Sequence, residues 1–451
     1  MINLKNKRVG IWGLGIVGTS VLSYVKKHTT DIQILDKKQH EKLHVIIQTP
    51  QSVQAFLEHN DIIIPSPGIS LLAYQNYAHK FVHELDIFSS HIDTPTIAIT
   101  GTLGKTTITS FIQQCIPHSV AAGNIGYAML NALELPNKPQ TVVLELSSYQ
   151  LQYAKNFAPD IALLTNFYPN HLDHHATIEE YLSAKCQMFL HQRSNQIAII
   201  PYELINQIEA TITIPSLVYL FSVTKPTDTP KYPTFYIENN CLMIFKKLLD
   251  PVVKPQEIRN DITKDTIIFN SIDQLPNTTF LQNWVAILAT LYLYKIPLHS
   301  VSFAALLQPE HRIEFVGNFH NVAIYNDSKS TVWQATQTAL QRFLDKKIAV
   351  IVGGLSKGTD RSPLIEFCKD KNITVFTFGG EADKISDLCT QYQVPCAQAT
   401  DLSHILDLFK SQYKNFDILL FSPAGASFDL FKNFEDRGTQ FKTLVKEMIK
   451  A

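Results

Sequence analysis

No two of the six cysteines, at positions 115, 186, 241, 368, 389 and 396, stand in a C-x-x-C spacing, so neither a disulfide framework nor a zinc ribbon is indicated. The charge is not lopsided either. Lys and Arg number 39 against 40 Asp and Glu, a formal net charge of -1, which gives no polyanion-binding surface and no nucleic-acid partner. No stretch runs to eighteen uninterrupted apolar residues, and the opening M-I-N-L-K-N-K-R-V-G lacks the apolar core of a secretory signal. No solenoid repeat recurs. These absences lead us to expect a protein of the cytoplasm with no membrane insertion. What is present is a chain of 451 residues, 45% hydrophobic and 18% charged, long enough for about three domains at roughly 150 residues each.

The most informative segment is P-T-I-A-I-T-G-T-L-G-K-T-T-I-T-S-F, from Pro95 to Phe111. An apolar strand, Thr96 to Thr100, meets a glycine-framed turn, Gly101-Thr102-Leu103-Gly104, and then Lys105-Thr106-Thr107 opens a helical pattern. This arrangement is a nucleotide phosphate loop. Gly101 and Gly104 let backbone N–H groups curl around phosphate oxygens, Lys105 neutralises β/γ charge, and Thr106 is placed to offer its hydroxyl to Mg2+. The common Walker spacing needs a glycine where Ile99 stands, so this is a shorter T-G-x-x-G-K-T-T form.

Three α/β segments follow one another, with expected boundaries at 1–94, 95–308 and 309–451. Residues 8 to 36 read as a Rossmann-type βαβ unit in which Gly13, Gly15 and Gly18 satisfy G-x-G-x-x-G, with Asp36 about 20 residues further on. Taken alone this suggests NAD, although the same turn binds other diphosphates. A second strand, Asp61 to Ile64, enters the turn Pro65-Ser66-Pro67-Gly68-Ile69-Ser70. In the middle segment, strands at Thr141–Leu146, Ile161–Asn166 and Ile197–Pro201 alternate with helical stretches, which favours a mainly parallel sheet. From Pro201 to Pro276 the pattern weakens into pieces such as Thr234–Ile237, and helical spacing returns at Asn283–Tyr294. Strands at Val322–Tyr325, Ile348–Gly353, Thr374–Phe378 and Ile418–Ser422 build a further doubly wound sheet.

Several constellations stand at strand ends, the edge where open α/β sheets bind ligands. Glu145 closes a strand before Ser147-Ser148-Tyr149-Gln150; it either completes Mg2+ coordination opposite Thr106 or caps the next helix. Asn166 to His175 is rich in potential ligands but lacks the spacing of a structural zinc site, so one working histidine among solvated neighbours is expected. Lys185 falls on a helix, where a lysine ordinarily lies on a solvated face. Asn326-Asp327-Ser328-Lys329-Ser330-Thr331 reads either as a site or as a helix start capped by Asp327 or Ser328. Gly353 to Gly358 and Ser422 to Asp429 each end a strand and offer a grip for an anion.

The tags S-P-G-I at Ser66, G-N-I-G at Gly123, E-L-S-S-Y-Q at Glu145, H-R-I-E at His311, N-D-S-K-S-T at Asn326 and S-P-A-x-A-S-F-D-x-F-K-N-F-E-x-R-G at Ser422 span the chain. Together they resemble the Mur ligases of peptidoglycan synthesis. The resemblance implies three domains: N-terminal Rossmann-like, central P-loop ATPase-like with a mainly parallel sheet, and C-terminal Rossmann-like. It implies that ATP phosphorylates the carboxylate of UDP-N-acetylmuramoyl-L-alanine to an acyl phosphate, which the amine of D-glutamate attacks through a tetrahedral intermediate. Positioning and charge neutralisation do most of that work.

By the same resemblance Gly101, Thr102, Leu103, Gly104, Lys105, Thr106 and Thr107 hold ATP, with Asn283, Arg312, Asp327 and Lys329 as further nucleotide contacts. Thr106, Glu145, His171 and Lys185 serve two Mg2+ ions, Lys185 as a carbamate, which requires a neutral amine first. Ile16, Val17, Asp36, Gly68, Asn124 and Ser147 meet the uridine substrate. Thr331, Lys357, Ser427, Phe428 and Phe434 hold D-glutamate, and closure of the C-terminal domain accompanies catalysis in a monomer. Other Mur-type or folate polyglutamate ligases are the near alternative, an NAD-dependent oxidoreductase the distant one. The chain departs from the family pattern at Leu103, Val17, Asn170 and Thr279-Phe280, each a polar contact worth about 1 kcal/mol where nothing replaces it. No principal catalytic group is lost.

Overall fold

Apolar β-branched runs alternating with helices build three sheets in a computed structural model that describes residues 2–170, 174–245, 265–276, 279–356 and 358–450. The chain divides into two compact units, Met1–Leu307 and Gln308–Ala451. No helix among the described residues is long and apolar enough to cross a membrane.

The first unit opens with β1 (Val9–Trp12), β2 (Ile32–Asp36), β3 (Ile46–Ile47) and β4 (Ile62–Pro65), all parallel in the order β3-β2-β1-β4. Local chemistry starts and stops its helices. Before the helix Pro50–His59, for example, Thr49 accepts from the N–H of Ser52 while Ser52 Oγ accepts from the N–H of Thr49, and Pro50 begins the first turn. Because β1 sends its chain to β2 on one side and β4 pairs with it on the other, a crevice forms at its carboxyl end.

Among the described residues the second sheet has nine strands: β5 (Thr96–Thr100), β6 (Ser119–Gly123), β7 (Thr141–Glu145), β8 (Ile161–Leu164), β9 (Ile197–Pro201), β10 (Leu217–Phe221), β11 (Thr234–Glu238), β12 (Cys241–Phe245) and β13 (Thr266–Phe269). Their order is β13-β12-β11-β10-β9-β8-β5-β7-β6. Strands β5, β7, β8 and β9 are buried along their whole length, as expected where helices cover both faces of a parallel sheet. Two pairings are antiparallel, β11 with β12 and β12 with β13. The first is a hairpin turned by Asn239 (φ 50) and Asn240 (φ 61), the left-handed pair that a two-residue turn needs. In the stretch that was hard to read in the sequence, β10 and β11 therefore continue the parallel sheet, and β12 and β13 extend it antiparallel.

The second unit contains β14 (Glu314–Phe319), β15 (Val322–Asn326), β16 (Ile348–Gly353), β17 (Ile373–Phe378), β18 (Cys396–Gln398) and β19 (Ile418–Phe421), ordered β14-β15-β19-β16-β17-β18. All pairs are parallel except β14 with β15. The chain runs outward from β16 to β18 and returns as β19 between β15 and β16, which sets the ends of these three strands side by side.

Candidate functional site

At the end of β1 the three glycines divide their tasks. A Cβ on Gly18 would collide with the carbonyl oxygen of Gly13, and one on Gly13 would lie 2.9 Å from Ser66 Oγ, whereas a Cβ on Gly15 or Gly68 would meet nothing within 4 Å. Packing accounts for the first two; the last two leave the backbone open to a ligand. Ser66 Oγ donates to the Gly13 carbonyl at 3.0 Å, which ties the turn after β4 to the turn after β1. Asp36 accepts from the N–H of Leu14 at 2.6 Å and of Lys38 at 2.9 Å. Burial opposes ionisation there, but these two N–H groups hold the carboxyl below the usual range. Ile16, an apolar side chain, is 86% exposed at the start of the helix that follows the turn.

The loop after β5 is framed by residues that follow β8. Thr165 Oγ1 donates to the Leu103 carbonyl at 2.6 Å, and Asn166 accepts from the Leu103 N–H at 2.8 Å while its amide donates to the Leu103 carbonyl at 3.0 Å. A polar side chain at Leu103 is thus not needed to fix the loop, because backbone contacts hold that residue. Gly101 (φ 145) has no room for a Cβ against Thr165, and at Gly104 (φ 81) a Cβ would lie 2.5 Å from Asn283 Oδ1. Asn283, buried in the helix Leu281–Leu293, donates to Thr279 Oγ1 at 2.7 Å. It supports the loop, and Thr279, a departure from the family pattern, supplies its partner. Lys105 opens the helix Lys105–Cys115 and folds over the loop, with Nζ 2.8 Å from the Gly101 carbonyl and 3.0 Å from that of Thr102. Thr106 and Thr107 follow in the first turn.

Glu145 ends β7, in register with Ile99 on β5. It is 4% exposed, and its Oε2 has no hydrogen-bond partner among the described residues. Capping does not explain it, since Ser147 caps the helix Ser148–Leu151 by accepting from the Gln150 N–H. A buried carboxylate oxygen left over beside a phosphate loop fits a hard cation. Asn124 stands exposed next to it, its N–H donating to the Glu145 carbonyl at 3.0 Å.

Two expectations about this region are corrected. Lys185 does not lie on a solvated face: it is 1% exposed, with Nζ 2.9 Å from the Gly101 carbonyl, the same oxygen that Lys105 binds, and 4.4 Å from the centre of the Tyr181 ring. Burial, and then the charge of Lys105, pull its pKa well below the lysine range. The histidines are not solvated neighbours either. His175 is fully buried, its Nε2 2.9 Å from Ser148 Oγ and its ring 5.2 Å from that of Tyr181, and His174 is half-buried against Tyr149. Tyrosines on neighbouring helices cover them. His171 lies outside the described residues.

In the second unit, Asp327 begins the turn after β15. It is buried, accepting from Ser422 Oγ at 2.6 Å and from the Ile313 N–H at 3.3 Å, and burial raises its pKa to about 7 against the nearby charge of Arg312. Neither Asp327 nor Ser328 caps a helix, because the next one, Trp333–Gln341, starts after Val332 with no side-chain cap. Lys329 Nζ lies 3.7 Å from the centre of the Phe434 ring, and the Phe434 carbonyl accepts from Ser328 Oγ at 2.8 Å. Ser427 is buried in the turn after β19 while Phe428 beside it is 65% exposed, and Thr331 is half-buried. Lys357 lies outside the described residues. His311 receives a hydrogen bond from Asn326 Nδ2 at 2.9 Å, and a Cβ on Gly438 would collide with its ring. The H-R-I-E tag and the closing R-G are thus joined by packing.

The sequence reading assigned no role to Asn166, His175, Arg361 or Arg437. The signal for Arg437 was present in the last tag; its burial without an ion-pair partner among the described residues was not readable there.

The Mur ligase middle domain matches residues 99–231. A UDP-N-acetylmuramoylalanine--D-glutamate ligase of Clostridioides difficile is 30% identical, covering 99% of this chain and 100% of that protein. One of the same name from Staphylococcus carnosus is also 30% identical, over 97% and 96%. Among solved structures, the MurF ligase of Thermotoga maritima in complex with ADP aligns with a TM-score of 0.54 at 15% identity, over 99% of this chain and 96% of that one, a likeness of fold.

Proposed function

The chain belongs to the UDP-N-acetylmuramoylalanine–D-glutamate ligases of the Mur ligase family, and from that membership we infer that it adds D-glutamate to UDP-N-acetylmuramoyl-L-alanine with conversion of ATP to ADP and phosphate. The observation that carries the reading to the residues is the meeting of two lysines on one carbonyl, next to a buried carboxylate with an unused oxygen.

The first step requires a carboxylate to attack a phosphoryl group, two anions that repel each other until their charge is masked. The loop N–H groups and the Lys105 ammonium would bear on the β- and γ-phosphates, while Thr165 and Asn166 keep the loop in its cradling shape. Glu145 and Thr106 offer oxygen donors for Mg2+, and Mg2+ held there supplies positive charge that offsets the phosphates. The neutral amine of Lys185 is the form that reacts with CO2; as a carbamate it would become an anion and, with His171, serve a second ion.

For the uridine substrate, residues 1–94 are the proposed binding segment, through Gly15, Ile16, Val17, Asp36 and Gly68, with Asn124 and Ser147 at the muramoyl-alanyl end. Residues 95–308 are assigned ATP and 309–451 D-glutamate, through Thr331, Lys357, Ser427, Phe428 and Phe434. Arg312, Asp327 and Lys329 are assigned to nucleotide. We place the enzyme in the cytoplasm as a monomer.

Phosphate release measured with ATP, Mg2+, UDP-N-acetylmuramoyl-L-alanine and either D- or L-glutamate tests the reading. Release that requires the uridine acceptor and D-glutamate together is expected; turnover indifferent to either one would refute it.

A further inference from the structure

The turns after β16 and β19 are held together by two buried arginines. Every nitrogen of Arg437 has an acceptor: Nη1 donates to the Gly425 carbonyl at 2.9 Å, Nη2 to the Ser328 carbonyl at 2.7 Å and Nε to Ser328 Oγ at 3.0 Å. Arg361 is not. It is 4% exposed, and its Nη2 donates to the Gly354 carbonyl at 2.9 Å, but Nε and Nη1 have no acceptor among the described residues. Its nearest carboxylate, Glu381, stands 3.7 Å from Nη2 with its oxygens already accepting from the N–H and Oγ of Ser356 at 3.0 and 3.1 Å. Asp429, the other acid nearby, accepts from the Gly380 N–H at 3.0 Å. Burial lowers the pKa of Arg361, with Glu381 and Asp429 acting against it, yet the group stays charged as any guanidinium does.

Position decides what this charge acts on. A Cβ on Gly425 would collide with Arg361 Nη2, so that nitrogen packs against the turn that continues through Ala426 to the buried Ser427. A desolvated cation with spare donors costs stability unless an anion offsets it. Packing alone would be served as well by an apolar side chain in that place.

We infer that Arg361 is a specificity-determining residue for the amino-acid substrate: its guanidinium, paired with Glu381 at 3.7 Å through Nη2 but with Nε and Nη1 lacking acceptors among the described residues, lies at the turn leading to Ser427 and favours a dicarboxylate over a neutral amino acid. This rests on the assignment of D-glutamate to Ser427.

The test uses the full chain with saturating ATP and UDP-N-acetylmuramoyl-L-alanine, varying D-glutamate or D-glutamine. Arg361→Gln is expected to raise the D-glutamate KM by about tenfold or more, in line with loss of a charge-assisted contact. It should leave kcat within about twofold and shrink the preference for D-glutamate over D-glutamine by the same factor as the KM rises. Arg361→Lys, which keeps the charge and loses the fork, should retain most of that preference. A role limited to bracing the two turns predicts a lower melting temperature with the D-glutamate to D-glutamine ratio unchanged, and that result overturns the inference. Should Arg361→Gln fail to fold, loss of the preference in Arg361→Lys overturns it too. Wild-type turnover without any dependence on D-glutamate would bring down the functional reading and the inference together; normal wild-type kinetics with an unaltered Arg361→Gln ratio sinks the inference alone.

Discussion

Replacing Asp327 by Asn should stabilise the second unit, and do so more strongly as the pH rises. The carboxyl is buried where β15 ends, and desolvation raises its pKa from 3.8 to about 7, although Ser422, Arg312 and the Ile313 N–H each favour the anion. A carboxyl whose folded pKa lies above its unfolded one contributes stability that is fully present below about pH 4 and is lost as the pH climbs through about 7. At ~1.4 kcal/mol for each tenfold in proton affinity, the change from 3.8 to about 7 sets a ceiling of about 4 kcal/mol on that loss. Asn mimics the neutral acid, still accepts from Ser422, and does not ionise. Between about pH 5 and about pH 8.5 the stability gap between variant and wild type should therefore widen by up to about 3 kcal/mol. Urea titrations read by hydrogen exchange on peptides covering β15 and β19 isolate the unit that contains the change. A gap that stays constant with pH, or narrows toward alkaline pH, would show that Asp327 is already ionised in the folded unit and that its burial has been compensated.

Three further outcomes are expected in the first unit. Gly104→Ala puts a Cβ 2.5 Å from Asn283 Oδ1 in a backbone with φ +81, at about 1 kcal/mol or more for the left-handed conformation alone; the ATP KM should rise by about tenfold or more, and near-normal kinetics would end the close-packed account of the loop. Glu145→Gln should raise the Mg2+ concentration needed for half-maximal rate by about tenfold to a hundredfold, and an unchanged requirement would remove Glu145 from the metal. Because burial pulls the Lys185 pKa well below the lysine range, 13C-labelled bicarbonate should give one slowly exchanging carbamate resonance that Lys185→Arg abolishes. Its persistence in the variant would assign the carbamate to another lysine.

What the sequence made legible was local. The strand, glycine turn and lysine of Thr96 to Lys105 are contiguous, and their geometry follows from propensity and the needs of a phosphate, so the loop could be read without partners. The antiparallel strands β12 and β13 escaped the reading because the cue for the first hairpin, Asn239-Asn240, sits among short pieces with little alternation to frame it. Burial was the larger gap. Lys185 on a helix looks solvated until Gly101, 84 residues away, is brought to its amine, and His175 until Ser148, 27 residues away, is brought to its ring. Glu145 shows why this matters for function: cap and metal ligand were equal readings in sequence, and only the discovery that Ser147 takes the cap leaves Oε2 over. The two buried arginines extend the same point. Arg361 and Arg437 are nearly alike in burial, yet every nitrogen of Arg437 has an acceptor and two nitrogens of Arg361 have none among the described residues. What a charged residue can do for a ligand is therefore set by which of its hydrogen bonds the fold leaves unmade, a quantity fixed by distant partners.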